Sequence, residues 1–118
     1  MMRGDFKKLL VWQQAHRLTL EVYRLTLNFP PYEAHCLSLQ IRRAVVSIES
    51  NIAEGNGRDT NKDYLRFLYV SRGSLYEVET QLLIAKDLGY ITDDEYEVVD
   101  SQRISVLKLL NLLIKKIP

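Results

Sequence analysis

An all-α fold, an antiparallel up-down-up-down four-helix bundle, is the architecture that this sequence predicts. Apolar residues recur at spacings of three and four through four long segments. Prolines, glycines and capping patterns fall between those segments. No stretch alternates apolar and polar residues over a strand's length. The connections are short, and short connections place consecutive helices side by side and antiparallel.

The first helix is expected from about Leu9 to Asn28, with Val11, Ala15, Leu18, Val22, Leu25 and Phe29 on one stripe. Pro30 and Pro31 end it, because proline lacks the N–H donor and clashes with the preceding turn. The second is expected over roughly Ala34 to Glu54, burying Leu37, Ile41, Ala44, Val45, Ile48 and Ile52. Cys36, near its start, reads as core filler. The stretch Ser50–Asp63, SNIAEGNGRDTNKD, then reads as a helix–helix turn. Asn51, Glu54, Gly55 and Gly57 are its candidate structural residues, with the glycines free to take positive φ and Glu54 placed to pair with Arg58.

Thr60 and Asp63 have the spacing of a capping box, so the third helix is expected from Asn61 to about Leu88. Its stripe is Tyr64, Leu68, Ser71, Leu75, Val78, Leu82 and Ala85, and Gly89 supplies its stop. Thr92 and Glu95 repeat the capping spacing for a fourth helix that buries Val99, Val106, Leu110, Leu113 and Ile117. The apolar faces are wider than one core stripe requires. Trp12, Tyr23, Tyr69 and Tyr76 are therefore candidate contacts between copies of the chain, and a homo-oligomer is expected.

The 118 residues are enough for one domain, spanning residues 1–118, with a core that needs no disulfide or metal. The single cysteine fits a reducing compartment, and the amino terminus is a poor signal peptide. No segment is apolar enough for a membrane span, so the expected location is cytoplasmic. Sixteen basic residues against fifteen acidic ones leave no global electrostatic footprint.

Several chemistries are excluded by spacing. A bundle di-metal site needs Glu-x-x-His, but His16 has Gln13 and His35 has Tyr32 three residues earlier. Gly55-Asn56-Gly57 lacks the Lys-Ser/Thr pair of a phosphate loop and follows a helix instead of a strand. Glu77 and Glu79, two apart on a helix, do not face each other as an acid–base pair. The reading is of a non-enzyme with no cofactor, metal or catalytic residue. Arg42, Arg43, Arg58, Lys62 and Arg66 remain as candidate phosphate contacts, with Arg42 and Arg43 alternatively placed to pair with Glu77 or Glu79.

Three segments carry a resemblance: FKKLLVWQQAHRLTLEVYRLTLNFP at Phe6–Pro30, QIRRAVVSIESNIAEGNGR at Gln40–Arg58, and GSLYEVETQLLIAKDLGYI at Gly73–Ile91. With these the chain resembles the small helical bundles called the S23 ribosomal or 23S rRNA intervening-sequence protein family. The resemblance implies ring-like oligomers, with a pentamer expected, and no catalytic residues. A more distant similarity in fold to accessory proteins of diversity-generating retroelements implies binding to nucleic acid and to a reverse transcriptase. This chain departs from the family pattern with Glu49 where proline is usual and Cys36 where glycine is common. Two functions follow: a noncatalytic homo-oligomeric scaffold associated with RNA or a nucleoprotein, or a homo-oligomeric protein-interaction module without nucleic-acid binding.

Overall fold

The computed structural model describes residues 3–118. Four helices form: α1 (Leu10–Thr26), α2 (Leu37–Asn56), α3 (Asn61–Asp87) and α4 (Asp93–Lys116). Short 3-10 turns at Phe6–Lys8 and Pro31–Glu33 precede α1 and α2. α2 and α3 each pack on their two sequence neighbours, and α4 closes the ring against α1. The result is an antiparallel four-helix bundle, 47 Å long and 25 by 20 Å across.

The predicted stripes on α1, α2 and α3 are buried in full. On α4, Val99, Val106 and Leu110 are buried, while Leu113 and Ile117 pack on the core from its edge. The most extensive contact joins α2 to α3, where small residues bring the two backbones together. Ser71 donates from Oγ to the Ile48 carbonyl at 2.8 Å, and Ser74 Oγ lies 2.9 Å from Ser47 Oγ. Between α1 and α2, the buried Thr19 hydroxyl lies 3.1 Å from the Ala15 carbonyl and 3.3 Å from that of Val45.

The starts of α3 and α4 follow their sequence signals. Thr60 Oγ1 accepts from the Asp63 N–H at 3.1 Å. Thr92 and Glu95 form the full reciprocal box at 3.0 and 2.8 Å. Gly89 takes φ of +79° just beyond α3, the left-handed conformation that ends a helix without a Cβ clash.

The start of α2 differs from expectation. The turn at Pro31–Glu33 delays the helix to Leu37, and Glu33 caps it by accepting the Leu37 N–H at 3.3 Å. Cys36, expected in the core, is exposed, because it falls just before the first helical turn and off the buried stripe. Glu33 also accepts from Tyr90 Oη at 2.8 Å and so ties the α1–α2 connection to the α3–α4 one. The Tyr90 phenol is held above its usual pKa, first by its hydrogen bond with Tyr32 and then by the bond to Glu33.

Candidate nucleic-acid interface

The Ser50–Asp63 stretch folds as a helix end and a tight turn, at the same end of the bundle as Gly4 and Pro118. Its glycines work differently from the expectation, since neither has positive φ. Gly55 lies inside α2, buried against α3. A Cβ there would stand 2.9 Å from Phe67 Cβ and 3.2 Å from the Tyr64 carbonyl oxygen. Gly55 is thus a point of close helix approach. Gly57 caps α2 at φ −87°, with open space around it except for the Glu54 carbonyl at 3.6 Å.

Asn51 donates to the Ser47 carbonyl at 2.8 Å, within α2, and does not reach the turn. Glu54 does pair with Arg58, at 3.3 Å. The residue that fastens the turn is Asn56, absent from the sequence-based candidates. Its buried side chain donates to the Gly4 carbonyl at 2.9 Å and faces the Tyr64 hydroxyl at 3.5 Å. Burial raises the Tyr64 pKa, and the nearby Arg3 cation partly opposes that shift. Arg3 itself bonds the Arg58 carbonyl and, at 3.0 Å, Asn61 Oδ1.

The five candidate basic residues divide into two groups. Arg58, Lys62 and Arg66 gather at the turn, where the guanidinium carbons of Arg58 and Arg66 each lie 4.5 Å from the Phe67 ring centroid. Arg66 also pairs with Asp63 at 3.3 Å, and Lys62 is exposed. Arg42 and Arg43 lie 16 and 15 residues before Arg58 on the chain, roughly 20 Å or more away along α2 at ~1.5 Å per residue. Neither pairs with Glu77 or Glu79 among the described residues. Arg42 Nε donates to Thr26 Oγ1 at 2.9 Å and lies over Tyr23, and Arg43 stays exposed.

Glu79 is taken by Arg103, a 3% exposed residue that bonds Glu79 at 2.7 Å and Asp100 at 2.6 Å, with Nη1 buried and without a protein partner. A sequence signal for Arg103 exists, because it sits four residues after Val99 and three before Val106, on the core stripe of α4.

Charge is segregated along the bundle. Halving each helix, residues 3–17, 47–74 and 105–118 occupy the turn end and hold eleven of the sixteen basic and five of the fifteen acidic residues, a net +6. The opposite half holds five basic and ten acidic residues, a net −5. The formal charge of +1 is the difference between two strongly charged ends.

Of the four aromatics nominated for contacts between copies, Tyr23, Tyr69 and Tyr76 are 41%, 48% and 51% exposed. Trp12 is half-buried, with Phe6 at 5.2 Å and His16 stacked at 5.1 Å between ring centroids. A groove of about 710 Å³ runs beside Tyr69, lined by Lys62, Leu65, Arg66 and Pro118. Among the described residues, no group of three or more His, Cys, Asp or Glu is placed to hold a metal ion, and no helix is long and apolar enough to cross a membrane.

The solved structures include a similar chain, a protein of unknown function from the S23 ribosomal protein family of Bacteroides thetaiotaomicron. It shares 24% sequence identity and superposes with a TM-score of 0.81 over 91% of this chain and 100% of its own, which shows a common fold. No curated protein matches this sequence. The profile of the 23S rRNA-intervening sequence proteins matches residues 7–112, nearly the whole bundle. Neither description names a reaction. The chain belongs to the 23S rRNA-intervening sequence protein family.

Proposed function

We propose that the protein is a noncatalytic homo-oligomeric scaffold that associates with RNA or a nucleoprotein through the turn end of its bundle. The observation that carries this reading is the segregation of charge, which gives the end bearing Arg58, Lys62 and Arg66 a net +6 within a nearly neutral chain. A polyanion responds to the local field, and salt screens charges farther off than about 8–10 Å. The pairs that Arg58 and Arg66 make with Glu54 and Asp63 join partly exposed side chains. Such pairs are worth roughly 0–1 kcal/mol and yield readily to phosphate. Assembly into a closed ring, a pentamer in the family expectation, repeats the patch and raises avidity without new contacts. The exposed rings of Tyr23 and Tyr76 support that assembly.

The test is fluorescence anisotropy with structured and single-stranded RNA over a salt series, alongside native mass spectrometry. The expected result is a closed oligomer whose weak RNA binding falls steeply as salt rises. The combined Arg58→Ala, Lys62→Ala, Arg66→Ala variant loses that binding at unchanged oligomer size. An Arg42→Ala, Arg43→Ala variant shows whether the second basic group contributes. An oligomer that binds no RNA at low salt leaves the protein-interaction module as the function, a reading favoured by the same exposed rings. A persistent monomer overturns the scaffold itself.

A further inference from the structure

At the turn end, arginines are laid on aromatic rings along the first half of α3. The Arg3 guanidinium lies 4.5 Å from the Tyr64 centroid, those of Arg58 and Arg66 lie 4.5 Å from Phe67, and that of Arg72 lies 5.1 Å from Tyr69. A patch that only gathers phosphates needs positive charge, which lysine supplies as well as arginine. Here four arginines of the turn end lie over three rings, while its six lysines make no such contact among the described residues. We infer that this surface binds unpaired nucleotides, with bases stacking on the guanidinium planes and on Tyr69, so that its ligand is single-stranded RNA in preference to duplex. The inference rests on the RNA reading above and deepens it.

Three features favour stacking over simple charge contact. First, Arg58 and Arg66 already answer the carboxylates of Glu54 and Asp63, both at 3.3 Å. That pairing uses the N–H edge of each guanidinium, and each partly exposed side chain keeps the face turned away from Phe67. Second, each arginine is partly immobilised before a ligand arrives, by a ring and, for Arg3, by bonds to the Arg58 carbonyl and Asn61. A pre-set planar fork loses less rotamer freedom on binding. Third, the groove beside Tyr69 is lined by Leu65 and Pro118 together with Lys62, Arg66, Thr60 and Asp63, the last carboxylate being paired with Arg66. An aromatic floor with cations alongside is the arrangement that takes a base and its phosphate together. A duplex hides its base faces inside the stack and offers this surface only its phosphates.

The experiment compares a labelled unpaired RNA with a duplex of equal length, by anisotropy, on the full-length oligomer. Two charge-preserving variants are used: Arg58→Lys with Arg66→Lys, and Phe67→Leu. Both leave Tyr23 and Tyr76 intact, so assembly through those rings is undisturbed. The expected result is that wild type prefers the unpaired strand. Each variant then weakens that binding about fivefold or more, as loss of a base stack does, while duplex binding and the salt slope stay the same. The lysine variant keeps the test decisive should Phe67→Leu impair folding, since both arginines are at the surface. Equal binding of duplex and single strand, or unpaired-strand affinity unchanged in the lysine variant, overturns the stacking inference and leaves the RNA reading standing. Failure of wild type to bind either RNA overturns both.

Discussion

Gly55 governs how closely α2 approaches α3. Its missing side chain leaves space that Phe67 and Tyr64 fill, and a Cβ would need the Phe67 Cβ to withdraw from 2.9 Å. Both obstructing atoms belong to or lie next to the α3 backbone, so the helices must part. Gly55→Ala is expected to cost roughly 1–3 kcal/mol, the range for overfilling a packed site. Gly57→Ala is expected to change stability by less, and upward if at all, since φ of −87° suits any residue and alanine narrows the unfolded ensemble by ~0.4–1 kcal/mol. Urea denaturation of the two single variants checks the contrast, and equal midpoints would refute it.

Arg103 is the other residue whose loss should be felt. Replacing it with methionine strands Glu79 and Asp100, and breaking a buried ion pair costs about 3–5 kcal/mol. Glu79 is 37% exposed, so water screens part of that loss and ~2–4 kcal/mol is expected. Adding Glu79→Gln and Asp100→Asn to Arg103→Met should recover part of the loss, as thermal unfolding would show.

At the level of elements, caps decide where the helices begin. The reciprocal box at Thr92 and Glu95 predicts that Thr92→Ala destabilises by roughly 1 kcal/mol. Hydrogen exchange should speed up in the first turn of α4 and hardly change in α3. These caps were readable from sequence because both partners lie within one turn of each other. The core stripes were readable for a similar reason, since the helical period puts every third or fourth residue on one side. The start of α2 was not, because the turn at Pro31–Glu33 is held by Tyr90, 57 residues from Glu33. Asn56 carries no local signal because its partner, the Gly4 carbonyl, lies 52 residues away in sequence and only the fold makes them neighbours. Sequence shows a glycine at a helix end but not the helix pressed against it. The candidate site was legible only as a set of arginines, and their rings were chosen by packing.

For the whole molecule, the separation of positive and negative ends gives a simple expectation in chromatography. A protein with formal charge +1 at pH 7 would ordinarily bind ion exchangers weakly. With ends of +6 and −5, this one is expected to be retained at low salt on both cation and anion exchangers. Arg58→Ala, Lys62→Ala, Arg66→Ala should elute earlier from the first and not from the second. Weak retention of wild type on either resin would count against the polarity.

The bundle is 47 Å long, several times the ~8 Å screening length of physiological salt. A large charged body therefore interacts with whichever end is nearer and is nearly blind to the other. The molecule has a large electric dipole along its long axis, and an approaching polyanion exerts a torque on it before any atoms touch. Productive encounters would then be pre-aligned, raising the association rate more than the lifetime of the complex. Added salt would shorten the reach of that torque and slow capture without altering one residue.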